Sequence, residues 1–253
     1  MGEPSIVWPV LRFLADSGKT APEALAEEVG RRTARVTRRQ FCEPAQEYQP
    51  GGWRRISNAG KCERRLFYQA TGCVSEPVTP SMRLRFWLGD VSEQALIGLA
   101  RAAGLDIGQE QAKVTLRGDD GSEVASGHID ALLAHEGRYW VVDAKLKTKA
   151  AWLAIHGKGG PDDTFGEVTQ LRAYSNALGA DGAILAAVCA DTGEMAEWLL
   201  RYEPGVADAV SARFAAVDSA IAAGLPPPRP HLPFVAMSRQ KVPRATHEQL
   251  PIV

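Results

Sequence analysis

The chain has 253 residues, of which 45% are hydrophobic and 23% charged, and its formal net charge is −1. This length is sufficient for one large domain with its own core. No apolar run approaches the roughly 18 residues of a membrane span, and the N-terminus lacks the basic-then-apolar pattern of a secretory signal. We therefore expect a soluble, cytoplasmic protein without a membrane partner.

Residues 9–40 are predicted to be helical, and residues 41–56 to form a linker or a long loop. The segments PVLRFLADSG and TAPEALAEEVG have helical patterns, and each ends at a glycine. Ala26, Gly30 and Val36 have the spacing of the small residue, turn glycine and apolar residue of a helix-turn-helix. Arg31 and Arg39 stand where that motif usually has apolar residues. An ordinary helical hairpin is the alternative.

The charge is unevenly distributed along the chain. Twelve Lys and Arg but only four acidic residues lie between Arg31 and Arg85, a local net charge of +8. Such a basic surface attracts polyanions, nucleic acid first. A solvated arginine-rich face is the alternative interpretation.

Helices and strands follow one another in the rest of the chain. We predict helices over NAGKCERRLFYQATG, MRLRFWLGDVSEQALIGLARAAG, FGEVTQLRAYSNALG and VADAVSARFAAVDSAIAAG, three strands around 110–116, 124–134 and 138–146, and a hairpin of GAILAAVC with MAEWLLRY. This order predicts an α/β (α+β) fold, a mixed central sheet with an antiparallel meander flanked by helices.

The pattern divides the chain into three segments. They are a helical N-terminal segment with the candidate helix-turn-helix, 1–50, a central segment with the sheet, 51–225, and a Pro-rich irregular tail, 226–253.

The stretch GHIDALLAHEGRYWVVDAK places Asp130 and Asp143 in two apolar strands. HEGR is predicted to form a symmetric hairpin turn whose glycine supplies a positive φ. In that register the two aspartates lie directly opposite each other, with Cβ atoms about 5 Å apart. Lys145 is two residues further along and shares their face. His128 is predicted to pair with Lys145.

Two carboxylates this close repel each other, and without a cation one tends to hold a proton. Mg²⁺ or Mn²⁺ would take both aspartates, the backbone carbonyl of Ala144 and waters. An ammonium such as Lys145 can orient a water and offset charge on a phosphate. Two aspartates, a backbone carbonyl and a lysine in this arrangement predict metal-assisted phosphodiester hydrolysis. Two alternatives stay open, a polar edge strand facing water, and simple neutralisation of Asp143 by Lys145.

Four elements, in order, resemble the PD-(D/E)xK nuclease superfamily, in its RecB-like and lambda-exonuclease-like branch. LGDVSE resembles the helical G-x-x-x-E motif, GHID the G-x-x-D motif, VVDAK the (D/E)-x-K strand and QLRAY the Q-x-x-x-Y helix. The matched functional residues are Glu93, Asp130, Asp143, Lys145, Gln170 and Tyr174. The similarity covers about residues 55–190 and implies a restriction-endonuclease-like core.

The resemblance implies a role for each matched residue. Glu93, Asp130 and Asp143 would ligate one or two divalent cations, and Lys145 would position or activate the attacking water. Gln170 and Tyr174 would support Lys145 and the DNA backbone, and their helical spacing puts them on one face. Phosphate contacts are expected from Arg54, Arg55, Lys61, Arg64, Arg65 and Lys147. An iron–sulfur cluster is not expected, because the tail lacks the cysteine cluster of such relatives.

The implied function is a Mg²⁺-dependent deoxyribonuclease. It would be an exonuclease acting on DNA ends, or on single-stranded or flapped DNA, in phage or bacterial recombination and repair. The chain has no helicase P-loop, so a helicase or a single-strand annealing protein is the expected partner besides DNA. The alternatives are a restriction-type endonuclease and a non-catalytic DNA-binding protein that uses the N-terminal helices.

Overall fold

The structure is a computed structural model that describes residues 2–16, 23–43, 52–73, 77–118, 120–163 and 166–228. The helices are α1 (Val7–Asp16), α2 (Glu23–Phe41), α3 (Glu63–Ala70), α4 (Pro80–Ala102), α5 (Lys149–Gly157), α6 (Glu167–Leu178) and α7 (Val206–Ala223), with a short 3₁₀ turn at Ile56–Asn58. The strands are β1 (Asp106–Gly108), β2 (Lys113–Arg117), β3 (Glu123–His128), β4 (Ala131–His135), β5 (Arg138–Lys147), β6 (Gly182–Cys189) and β7 (Met195–Arg201).

Five strands form the central sheet, in the order β1-β4-β5-β6-β7. Only β5 and β6 run parallel, whereas the other three pairs are antiparallel. Parallel neighbours need a crossover connection, and α5 and α6 provide it. The predicted mixed sheet flanked by helices is therefore confirmed.

Apolar side chains cover both faces of this sheet. Val141 and Leu185 point to the face packed with residues of α6 and α7. Val142 and Ile184 point to the opposite face, packed with residues of α1 and α4. The apolar runs of β5 and β6 follow from this arrangement, since strands buried on both faces do not alternate with polar residues.

The β4–β5 hairpin has the predicted register. The pairs run from Ala131 opposite Val142 to His135 opposite Arg138. Glu136 and Gly137 have φ angles of 49° and 76°, as the favoured two-residue hairpin turn requires at both central positions.

The single strand predicted over 124–134 is instead two strands in different sheets. β3 pairs with β2 in a separate two-stranded sheet, where His128 lies opposite Lys113. The predicted pairing of His128 with Lys145 is therefore wrong. The chain changes sheets at Ile129 and Asp130, where the Ile129 N–H donates to the Ala112 carbonyl.

The turn predicted at Gly30 is also wrong, because α2 continues through this residue. A glycine inside a helix costs only about 1 kcal/mol relative to alanine. Packing of α2 along α4 offsets this cost, as where Val29 fits against Gly98. The helix-turn-helix interpretation therefore loses its turn.

The division of the chain at residue 50 stays a prediction. Most of the predicted tail, 229–253, lies outside the described residues.

None of the helices within the described ranges is both long and apolar enough to cross a membrane.

Candidate active site

Asp130 and Asp143 approach each other at the start of β4. The hairpin register, extended by one residue, places Asp130 opposite Asp143. The Ala144 backbone N–H donates to Asp130 Oδ2 at 2.9 Å. Lys145 Nζ lies 2.7 Å from Asp143 Oδ1 and 3.9 Å from Asp130 Oδ2. The structure thus brings together the two aspartates and the lysine of the predicted site.

The edge of β5 beyond Val142 has no partner in β4, because β4 begins at Ala131. Ala144 lies on this free edge. In an antiparallel arrangement the N–H and C=O of one residue point to the same side. The Ala144 carbonyl therefore lies on the side of Asp130, as its predicted role as a ligand requires.

Burial and the neighbouring charges shift the pKa values of the groups in this cluster. Burial raises the pKa of Asp130 well above its usual value, and the neighbouring Asp143 raises it further. Burial opposes the charged form of Lys145, but the charges of Asp143 and Asp130 outweigh burial and raise the pKa of Lys145. Asp143 Oδ2 is buried and has no hydrogen-bond partner within the described part of the chain.

Glu93 reaches the same cluster from α4. Burial raises the pKa of Glu93 to about 7, although the charge of Lys145 opposes this shift. Its Oε1 atom accepts hydrogen bonds from Gln94 Nε2 at 2.8 Å and Gln111 Nε2 at 2.9 Å. The Gln111 backbone N–H also donates to the Asp130 carbonyl at 3.4 Å. One glutamine therefore contacts two of the acidic residues.

Sequence analysis did not single out Gln94 or Gln111. Gln94 directly follows Glu93 of the G-x-x-x-E motif, so its place in the sequence could have indicated that it lies near the site. Gln111 lies in no motif, and its φ of 51° places it in the left-handed region, which non-glycine residues seldom adopt. Only the tertiary structure reveals its contact with Glu93.

Tyr174 of α6 is buried at the other side of the aspartates. Burial raises its pKa to about 12, with Asp130 and Asp143 contributing, and the His128 backbone hydrogen-bonds to its phenol oxygen. A Cβ atom at Gly127 would lie 2.3 Å from that oxygen. The glycine of the GHID motif is therefore needed for space. Gln170 lies one turn before Tyr174 and is half-buried.

The basic residues predicted to contact DNA are divided into two groups. Lys61, Arg55 and Arg65 lie near one another, since burial and the charges of both arginines lower the pKa of Lys61. Arg54 instead pairs with Asp218 at 2.5 Å. Lys61 Nζ also donates to Asn58 Oδ1 at 2.7 Å. Arg64 bonds to Tyr68 and Pro227, and Lys147 pairs with Glu167.

Among the described residues, no three His, Cys, Asp or Glu side chains are placed so that they could hold a metal ion. The Lys145 ammonium lies beside both aspartates, and Glu93 Oε1 is bonded to the two glutamines. The aspartates themselves fit a hard cation, because they offer carboxylate oxygens and Asp143 Oδ2 has no other partner among the described residues.

Comparison with known proteins gave no matching family model and no matching curated protein. Similar solved structures include SSO0001, which is 16% identical, with 78% of this chain and 86% of that chain covered and a TM-score of 0.48. LHK-Exo in complex with dAMP is 10% identical, with 67% and 86% covered and a TM-score of 0.47. An alkaline exonuclease (LHK-Exo) from Laribacter hongkongensis is 11% identical, with 67% and 87% covered and a TM-score of 0.42. Similarities this distant carry no conclusion about activity.

Proposed function

We propose that this protein is a divalent-metal-dependent deoxyribonuclease that hydrolyses phosphodiester bonds. One observation carries the proposal, the pairing of Asp130 and Asp143 across the hairpin with Lys145 beside both. Two buried carboxylates repel each other. The pair lowers the stability of the fold, so a purely structural role does not explain it.

Asp130, Asp143 and the Ala144 carbonyl are the proposed ligands of Mg²⁺ or Mn²⁺. Glu93 is proposed as a third carboxylate that joins them when the cation binds, since the described side chains do not form a three-residue metal site without the cation. When bound, such a cation lowers the pKa of water and offsets charge developing on the phosphate. Mg²⁺ usually keeps several waters and needs few protein ligands. The unpartnered Asp143 Oδ2 supports this assignment.

Lys145 is proposed to act as a cation and not as a base. Without a bound cation, the charges of the two aspartates outweigh burial and raise the pKa of Lys145, which favours the protonated ammonium. A protonated ammonium cannot accept a proton from water, but it can donate hydrogen bonds. Lys145 would orient the attacking water and stabilise negative charge on the phosphate.

Tyr174 and Gln170 are proposed to support this arrangement from α6. The buried Tyr174 phenol connects α6 to the backbone at Gly127 and His128. This contact lies two to three residues before Asp130, so it fixes where the chain enters the site. Gln170, one turn earlier, is proposed to contact Lys145 or the DNA backbone.

Arg55, Lys61 and Arg65 are proposed to bind DNA phosphates. Arg55 forms a bridge to Ser126 of β3, and Gly60 packs directly against Gly166 at the start of α6. The cluster therefore borders two elements that build the site. We further propose action on DNA ends or single strands, with a helicase or single-strand annealing protein supplying the unwound substrate.

The decisive experiment compares linear, circular and single-stranded DNA in Mg²⁺, Mn²⁺ and EDTA. We expect metal-dependent cleavage that Asp130→Asn and Lys145→Met each reduce by at least about a hundredfold. Asp208→Asn, on the exposed side of α7, is the matched control and should cleave normally. Cleavage that persists in EDTA or in both site variants would overturn the proposal.

The same assay separates the related functions. Cutting of closed circles would indicate an endonuclease, whereas degradation of linear DNA alone would indicate an exonuclease. Binding without cleavage under every condition would indicate a non-catalytic DNA-binding protein.

A further inference from the structure

The active-site face of β5 continues past the catalytic lysine. Asp143, Lys145 and Lys147 alternate along β5 and share one face. Across from them lies α6, where Tyr174 is close to Asp143 and Glu167 pairs with Lys147 at 2.5 Å. Strand β5 and helix α6 therefore border one strip of surface, which runs about 13 Å along β5 from Asp143 to Lys147.

A cavity of about 250 Å³ opens at the Lys147 end of this strip. Ala151, Ala154 and Ile155 of α5 form its apolar wall together with Pro161. Lys147 lies two residues beyond Lys145, a separation of about 7 Å along the strand. That distance is comparable to the spacing of neighbouring phosphates in an extended nucleic-acid strand.

The charged residues around this cavity neutralise one another. Lys147 pairs with Glu167, and Lys158 pairs with Asp162. A phosphate would need positive charge that is not already compensated. A neutral, flat group with apolar faces and polar edges suits the cavity better, since its faces can contact the apolar wall and its edges the ion pairs.

We propose that this cavity binds the base of the nucleotide next to the scissile phosphate. The proposal rests on the nuclease function and deepens it, because it gives the site a contact with the nucleobase. The Lys147 ammonium offers donors to the base edge and the Glu167 carboxylate offers acceptors. Contact between the base and the alanine wall would hold the strand in place for attack.

Substrates that lack a single base test this site. Each position near the cleaved bond is replaced in turn by an abasic nucleotide, and kcat/KM is measured with Mg²⁺. One adjacent position should show about a tenfold loss, the effect of exposing about 60 Å² of apolar base surface. Ala154→Phe, which adds bulk to the wall of the cavity, should abolish this discrimination. Leu153→Phe is the control, because Leu153 is 58% exposed and does not line the cavity.

Two further measurements separate this proposal from the nuclease function. Cleavage of the abasic strand, which has no base to place in the cavity, should remain Mg²⁺-dependent in both the wild type and Ala154→Phe. Binding of the normal and abasic strands is measured by fluorescence anisotropy in Ca²⁺ and needs no cleavage. The wild type should prefer the normal strand about tenfold, and Ala154→Phe should not. Equal binding by the wild type, or unchanged discrimination by Ala154→Phe, would overturn the proposal even if DNA is cleaved.

Discussion

Lys145 Nζ lies 2.7 Å from Asp143 Oδ1, within a cluster that also includes Asp130. Among the described residues, this ammonium is the cation that pairs with both carboxylates. The lysine thus serves two purposes, since it compensates the buried charge at rest and supplies a cation to the phosphate during the proposed reaction.

Lys145→Met should therefore affect stability as well as activity. Removing one partner of a largely buried ion cluster leaves uncompensated charge, and we expect a loss of about 2 kcal/mol in the free energy of unfolding in EDTA. Mg²⁺ that binds only the folded protein should recover part of this loss. Urea unfolding with and without Mg²⁺ measures both effects. Lys113→Met, at an exposed position of β2, is the control. Equal stability of wild type and Lys145→Met in EDTA would contradict the expected role.

Gln111→Gly should disturb the position of Glu93 without lowering the stability of the fold. The substitution removes the hydrogen bond to Glu93 and relieves a positive φ of 51°, which costs a non-glycine residue about 1 kcal/mol. We expect unchanged or higher stability but about a tenfold higher Mg²⁺ concentration for half-maximal cleavage. Gln109→Gly relieves a similar φ of 49° and should leave the Mg²⁺ dependence unchanged. An unaltered Mg²⁺ dependence in Gln111→Gly would show that the glutamine does not position Glu93.

Gly127→Ala should be destabilising because of Tyr174. The added Cβ would lie 2.3 Å from the phenol oxygen and 3.1 Å from the ring carbon Cζ, so we expect a cost of about 2 kcal/mol. Tyr174→Phe removes the nearer atom. The double variant should therefore be more stable than the sum of the two single effects predicts, by about 1 kcal/mol in a denaturation cycle. If the two stability losses simply add, the cost of Gly127→Ala does not come from its contact with the Tyr174 oxygen.

Glu93 should make stability depend on pH. Its pKa rises on folding from 4.5 to about 7, so the folded state holds the proton more tightly. This contribution is present in full below pH 4.5 and is lost as the pH rises through about 7. In EDTA, the wild type should lose about 2 kcal/mol more stability between pH 5 and 8 than Glu93→Gln does. Parallel pH profiles of the two proteins would contradict the raised pKa.

The hairpin that carries the site could be predicted because its information is local. The turn at Glu136 and Gly137 and the apolar residues around it fix the register of β4 and β5. The facing aspartates and the side of Lys145 follow directly. Helix α7 could be predicted for a similar reason, since it ends at Gly224 in a left-handed conformation.

Other features depend on contacts distant in sequence. The chain leaves β3 for another sheet because the backbone at Ile129 and Asp130 bonds to the segment before β2, and no local pattern marks that change. Helix α5 was not predicted, although Thr148 accepts a hydrogen bond from the Ala151 N–H as its N-terminal cap. Ion pairs between residues distant in sequence are likewise not visible in a local pattern, as for Arg54 and Asp218.

The change of sheets at Asp130 gives the two halves of the site unequal mechanical freedom. Asp143 belongs to β5, the central strand, and lies opposite Leu185 of β6. Asp130 lies at a junction, tied through Ile129 to the small β2–β3 sheet. A displacement of the small sheet would therefore move one aspartate while the other stays fixed. The distance between the two carboxylates thus depends on the position of the small β2–β3 sheet relative to β5.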